Sequence, residues 1–206
     1  MESTARKYFP SHPNATLVDF GCGDMPYRHL IDPFVTNYVG VDLPGNPKAE
    51  FHLHPDGTAS VPDAFADILL STQVLEHVPE PEQHLSEARR MLRPGGLLAL
   101  STHGYWSYHP DPTDFHRWTG PGLQRLVEKT GFATVELVGI LGLLPAGLQL
   151  ASDGLIRKVC PKPLRRYLGP PFALLTQSPM IWMDRLHTDA QRAQDAAAFM
   201  IVARKT

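Results

Sequence analysis

Residues 18–30 read VDFGCGDMPYRHL. Val18, Asp19 and Phe20 close the run 15–20 (ATLVDF), which suits a short buried strand, and Gly21-Cys22-Gly23 follows at once. Two glycines placed directly after a strand let the backbone turn sharply, and they let a ligand approach without meeting a Cβ. An isolated G-x-G is as often a plain strand-to-helix turn. Here it is not isolated. A second strand, 37–43 (NYVGVDL), ends on Asp42 and Leu43, about 20 residues further on. In a nucleotide-binding βαβ unit an acid at that distance accepts hydrogen bonds from a ribose. The pairing points to an adenosine-bearing ligand.

The details of the turn narrow the ligand further. A dinucleotide site wants G-x-G-x-x-G, with the pyrophosphate on the helix N-terminus. The residues run Gly21-Cys22-Gly23-Asp24-Met25-Pro26, so the third glycine is missing, and Asp24 would repel a pyrophosphate. A cationic, phosphate-free nucleoside suits the turn better. A nicotinamide oxidoreductase stays as a disfavoured alternative.

Outward from the turn, strands and helices alternate. PYRHLIDPF has room for a short helix, with Pro26 suited to its first turn. Residues 49–54 (AEFHLH) alternate like a third strand, and 66–71 (ADILLS) form a continuous apolar run, as expected of a strand covered on both faces. Residues 80–92 place Leu85, Ala88, Met91 and Leu92 on one helical face, with Pro94-Gly95-Gly96 as the stop. A strand over 96–102, a helix over 121–132 closed by Gly131, and strands over 133–139 and 197–204 complete the pattern. This is an α/β protein with a mostly parallel sheet and helices on both faces, and its ligands are expected at the carboxyl ends of the strands. Residues 1–206 read as a single domain, with 140–195 an insertion before the last strand.

Composition sets outer bounds. Hydrophobic residues make up 43% and charged residues 19%, an ordinary globular balance. A net charge of -2 gives no reason to expect nucleic acid. Cys22 and Cys160 lie far apart, so no disulfide framework is expected, and no apolar leader is visible; both suit a cytoplasmic protein.

Four ordered motifs, VDFGCGD with VGVDL, then ADILLSTQVLEHVPEP and LRPGGLLALST, resemble the class I S-adenosylmethionine-dependent methyltransferases, in particular the small-molecule branch with an LEHV signature, methyltransferase type 11-like. The resemblance runs from about residue 14 to about 135. It implies a Rossmann-like seven-stranded sheet with a reversed last strand, and S-adenosyl-L-methionine as cofactor. It implies that Asp19, Gly21, Cys22 and Gly23 shape the methionine end, and that Asp42 and Leu43 flank the ribose. Asp56 and Gly57 would then face the adenine, with Gln73, Val74 and His77 lining the open side; His77 reads equally as a structural residue at a helix start. Met25 departs from the pattern, since many members carry another glycine there. The implied activity is methyl transfer to oxygen or nitrogen of a small-molecule or lipid-like acceptor. A non-catalytic module that binds the same cofactor is the alternative.

The stretch 101–122 (STHGYWSYHPDPTDFHRWTGPG) follows the fifth strand and so starts near that cofactor. It carries two of the three tryptophans, and His103, His109 and His116 are the candidate general bases, with Asp114 and Arg117 tying the loop down. A lid packed by its own aromatics is the plain alternative. Asp111, Asp114 and His116 have metal-ligand side chains, but their spacing fits no closed zinc pattern, so no metal is expected. Within the insertion, apolar 137–151 and 170–183 flank a cluster of Arg157, Lys158, Lys162, Arg165 and Arg166. The residues before the glycine turn look too few to cover the site, so the insertion is read as its apolar lid. Peripheral membrane contact through 137–183 is weighed against a cap or a homodimer contact.

Overall fold

The computed structural model describes residues 1–11, 14–111 and 113–206; the side chains at positions 11, 157–159, 162, 165, 168, 173 and 174 lie outside the description. Seven strands form one sheet: β1 Thr16–Phe20, β2 Asn37–Asp42, β3 Phe51–His52, β4 Ala66–Thr72, β5 Leu92–His103, β6 Phe132–Gly142 and β7 Ala196–Lys205. Their order is β3-β2-β1-β4-β5-β7-β6. The first five pair in parallel, whereas β7 runs antiparallel to both β5 and β6. The expected seven-stranded sheet with a reversed last strand is the one observed.

The central strands divide their side chains between two layers. On β1, Val18 and Phe20 pack on one face and Leu17 on the other; on β4, Leu69 opposes Ile68 and Leu70. The first face is covered by α3 (Pro81–Met91) and α4 (Gly120–Lys129) through Leu85, Ala88, Met91, Leu123 and Val127. The second is covered by α1 (Glu2–Tyr8) through Ala5, by Phe9, and by Ile31 of α2 (Arg28–Ile31). Truncating a wholly buried residue such as Leu69 to alanine should cost about 2–5 kcal/mol.

Some boundaries differ from the sequence reading. Only Phe51–His52 of the expected third strand pair with β2, and Leu53 turns away to bridge Ala59. The helix over 80–92 ends at Met91, because Leu92 is extended and already pairs with Ala66. Pro94-Gly95-Gly96 therefore lies inside β5 and does not end the helix. β6 runs on to Gly142, so the segment between the last two strands begins later than residue 140. That segment is helical: α5 (Leu143–Asp153), a π-helical stretch Gly154–Val159, α6 (Lys162–Asp184) and α7 (Asp189–Gln194). In sequence β1 is followed by β2, but in the sheet it also borders β4, and the order reverses between these two strands. The glycine turn lies at that reversal, where open α/β sheets bind ligands.

Candidate active site

The glycine turn is locked to the next strand by its own backbone. Gly21 and Cys22 N–H donate to Val41 O at 2.8 and 3.2 Å. Gly21 has φ +86, and a Cβ there would lie 2.4 Å from Val74 Cγ2. The two loops that follow β1 and β4 thus meet with no room for a side chain. Gly23 has φ +48, and a Cβ there would meet nothing within 4 Å, so the turn is open on that side. Met25, where the resemblance expects glycine, keeps the left-handed backbone with φ 54. The sharp turn survives without the residue that adopts it at no cost.

Asp42 is bound into this turn. Its Oδ2 accepts from Gly23 N–H at 2.9 Å and from Asn46 Nδ2 at 2.6 Å, and Oδ1 accepts from Leu43 N–H at 2.8 Å. Asn46 also donates to Gly23 O at 2.8 Å. Asp19 lies buried beneath; Tyr38 Oη donates to its Oδ2 at 2.5 Å, while Oδ1 has no hydrogen-bond partner among the described residues. Burial pushes the Asp19 carboxyl up to about 6, against the pull of the Tyr38 hydroxyl. Burial, with Asp19 and Asp42 nearby, also pushes the Cys22 thiol up to about 12, so it stays protonated and is no nucleophile. A buried, unpartnered carboxylate oxygen below a bare turn fits a ligand that brings a positive charge, which is what the cofactor inferred from sequence carries.

Asp56 and Gly57 form a separate tight turn, Gly57 with φ +78. Thr58 N–H and Oγ1 donate to Asp56 Oδ1 at 3.0 and 2.7 Å and hold its carboxyl below the usual range. The hydrogen bonds of that carboxylate run to Thr58, not to the glycine turn.

Beyond β4 the chain makes a short 3-10 turn, Leu75–His77. Gln73 has φ 55, donates its N–H to Ser101 O at 2.9 Å, and sets its Nε2 3.1 Å from Ser101 Oγ. Glu76 is fully buried. Thr102 Oγ1 donates to Glu76 Oε2 at 2.8 Å, and His103 Nδ1 lies 3.0 Å from Oε1. Burial alone would raise the Glu76 carboxyl; His103, a peptide N–H and Thr102 outweigh it and hold it below the ordinary value. Trp106 stacks on the His103 ring, with centroids 5.1 Å apart and planes 1° from parallel. His109 meets His103 edge-on at 5.6 Å and His77 at 5.4 Å.

The loop between β5 and α4 is pinned by an ion pair. Arg117 grips Asp114 with two bonds, at 2.6 and 2.5 Å, and reaches the carbonyls of Trp106, Ser107 and His116. Asp114 Oδ2 also accepts from His109 N–H at 2.8 Å. Arg117, working against burial, holds the Asp114 carboxyl at about 2. Phe115 and His116 N–H donate to Glu76 O, closing the loop over the 3-10 turn. Asp114 is committed to these contacts, and among the described residues no three His, Cys, Asp or Glu side chains are grouped to hold a metal.

A cavity of about 570 Å³ opens beside these strand ends, with Gln73, Ser101, His103 and Trp106 on one side and Val138, Ile140, Leu141 and Met200 on the other. Met1, Ser3, Thr4 and Lys7 of the N-terminal segment form a further part of its wall. This corrects the expectation that the residues before the glycine turn are too few to cover the site: α1 lies across it. Lys7 and Tyr8 are anchored to Glu136 on β6 at 2.6 and 2.8 Å.

A family model described as a methyltransferase domain matches residues 3–137. The chain belongs to that family. S-adenosylmethionine is the cofactor named for one relative, a probable S-adenosylmethionine-dependent methyltransferase of Mycolicibacterium smegmatis, 25% identical over 60% of this chain and 54% of its own length. A ubiquinone biosynthesis O-methyltransferase of Cereibacter sphaeroides is 28% identical over 61% of this chain and 63% of its own length. The chain thus spans between about half and two thirds of these curated relatives. Among solved structures, a putative methyltransferase of Bacillus halodurans superposes with a TM-score of 0.59 over 99% of this chain and 98% of that one, at 17% identity. That likeness shows the shared fold.

Within this methyltransferase domain, the structure brings most of the sequence-derived residues together. Asp19, Gly21, Cys22, Gly23, Asp42 and Leu43 form one connected turn. Val74 abuts it, and Gln73 begins the cavity wall. Of the three candidate bases, His103 lines the cavity; His109 and His116 are not in its wall. His116 packs on Trp118 at 5.5 Å with Nε2 buried and unpartnered among the described residues. His77 Nδ1 faces Thr113 O, which gives it a part in holding the loop. Sequence reasoning missed Asn46, Tyr38 and Glu76. An amide shortly after the ribose acid could have flagged Asn46. The LEHV motif contains Glu76 but does not reveal its partner on another strand, and nothing local marks Tyr38, whose partner is Asp19.

The basic cluster of the insertion falls largely outside the described side chains: those of Arg157, Lys158, Lys162 and Arg165 are not described. Many of the described apolar side chains nearby are exposed, including Leu164, Tyr167, Leu175, Ile181, Trp182 and Leu186. No described helix is long and apolar enough to cross a membrane.

Proposed function

We propose that this chain is an S-adenosylmethionine-dependent methyltransferase that methylates a hydroxyl on a small acceptor with an apolar body. One observation carries the reading. The glycine turn with Asp42 opens at the same strand ends as an apolar-walled cavity of about 570 Å³ that has a histidine in its wall. The ubiquinone O-methyltransferase and the 2-methyl-6-phytyl-1,4-hydroquinone methyltransferase of Synechocystis, which is 25% identical over 60% of this chain, support a ring-bearing, lipid-like acceptor.

The cofactor supplies a methyl carbon on a positively charged sulfur. This chain's residues do the rest. Gly21 and Gly23 would hold the methionine end, with Asp19 below as the negative partner, and Asp42 would hold the ribose. Trp106, Val138, Ile140 and Met200 exclude water and seat the acceptor ring. When bound, the cofactor would give up its methyl group to the acceptor oxygen and leave as the neutral thioether, and His103 would receive the proton that the hydroxyl loses. Such a displacement gains most from positioning and from a dry site, with one base for a hydroxyl acceptor.

Calorimetry with S-adenosylmethionine, S-adenosylhomocysteine and NAD tests the first half: binding of the first two and not of NAD is expected. A screen of catechols and hydroquinones, read by mass spectrometry for an added methyl, tests the second. Cofactor binding with no methylation of any class of acceptor would favour a non-catalytic module instead.

A further inference from the structure

The most unusual charged group in the molecule is Glu76, the acid of the LEHV motif. It is fully buried in the 3-10 turn after β4, against Thr102 and His103 of β5. Oε2 is occupied by the Thr102 hydroxyl at 2.8 Å. Oε1 has His103 Nδ1 3.0 Å away, at ion-pair distance but off hydrogen-bond alignment, and among the described residues neither atom has a hydrogen-bond partner. A buried carboxylate is costly unless it is paired, and its removal from a pair is more costly still. The arrangement therefore demands a reason for keeping an acid at this depth.

Resting on the methyltransferase reading above, we propose that Glu76 is the positioning residue that makes His103 the proton acceptor. It holds the proton on Nδ1, so that Nε2, on the other side of the ring, carries the lone pair that takes the acceptor's proton. Three features support the assignment. The His103 ring is fixed in plane by Trp106 stacked upon it. The loop carrying Trp106 is anchored to the Glu76 carbonyl through Phe115 and His116 N–H. His103 is the one candidate histidine in the cavity wall. A buried carboxylate beside one ring nitrogen sets the tautomer and stabilises the imidazolium that forms at the other. The charged and titratable groups around the ring are few: Glu76 on one nitrogen, His109 edge-on with His77 behind it, and the Lys7–Glu136 pair elsewhere on the cavity wall.

The test is nitrogen-15 NMR of the histidine rings in the unliganded full chain, with the His103 signals identified by their loss in His103→Gln. Neutral His103 should be the Nδ1–H tautomer, and Glu76→Gln, whose amide can donate to Nδ1, should raise the fraction of rings carrying the proton on Nε2. Thr102→Val, which leaves the carboxylate in place, should leave the tautomer unchanged. A neutral wild-type ring carrying its proton on Nε2, or tautomer populations unmoved in Glu76→Gln, overturns the proposal. If Glu76→Gln does not fold, the wild-type tautomer decides the matter alone. No step of this test uses acceptor or cofactor, so a failure here is distinguishable from a failure to bind S-adenosylmethionine.

Discussion

Gly21 is the residue on which the site's shape turns. Its φ of +86 and the 2.4 Å approach of Val74 Cγ2 to a would-be Cβ impose two separate penalties on any substitution. Gly21→Ala should lose about 2–4 kcal/mol in chemical denaturation, part from backbone strain and part from overlap. Adding Val74→Ala should recover the overlap portion and leave the strain; a double mutant no better than Gly21→Ala would disprove the contact. Asp19 has its own signature. Its carboxyl is raised by burial from an ordinary 3.8 to about 6. Between those values the folded chain binds a proton that the unfolded chain has released, so this group's contribution to stability falls as pH rises from about 4 to about 6, by on the order of 3 kcal/mol. Asp19→Asn should remove that slope, which urea melts across the range would show. These roles were partly readable in advance. A glycine after a strand and an acid about one βαβ step later announce themselves locally. Tyr38 does not, and the LEHV motif marks Glu76 without its role, because their significance lies in Asp19 and His103 across strand pairs that no spacing rule encodes.

The loop from β5 to α4 behaves as one element because Arg117 binds it at five acceptors, two on Asp114 and three backbone carbonyls. Arg117 keeps 29% of its side chain exposed, which screens the pair, so Arg117→Ala should cost about 2–3 kcal/mol and not the full cost of breaking a wholly buried pair. Hydrogen exchange over residues 104–119 should accelerate selectively in that variant, with β4 and β1 unchanged. The same carboxyl is held at about 2, below its ordinary 3.8, so the stabilisation is whole above about pH 4 and is lost as pH falls through about 2. Element boundaries were less legible than element types. Continuous apolar runs mark the central strands well, because both faces of a parallel sheet are covered. The edge is another matter. Residues 49–54 alternate like a strand, yet only Phe51 and His52 find a partner before Leu53 turns to Ala59. Pro94-Gly95-Gly96 has the chemistry of a helix stop, but Leu92 had already been drawn into the sheet against Ala66. Pairing partners, not local propensity, set both limits.

At the scale of the whole molecule, one sheet presents the glycine turn, His103 and the cavity at the same strand ends, and residues of α1 form part of the cavity wall. The sequence pointed to the insertion for that cover because the N-terminal stretch is short; its helix was hidden by the absence of any strong apolar period. The helices between β6 and β7 instead expose a broad apolar surface, with Leu175 at 73%, Tyr167 at 74% and Trp182 at 64% exposure. We propose that this surface rests on a membrane that delivers the lipid-like acceptor. Flotation with phosphatidylglycerol vesicles should carry the protein upward, and Arg165→Ala with Arg166→Ala should weaken that; absence of flotation at low salt would leave the surface as a cap or a homodimer contact. The glycine turn, His103 and the cavity act together only if the cofactor sits between them. The most direct measurement is a crystal structure of the chain with S-adenosylhomocysteine. It should show the ligand over Gly21–Gly23 with its ribose hydroxyls on Asp42 and its sulfur toward the His103 cavity. A ligand bound away from that turn, or held there without contact to Asp42, would contradict the account.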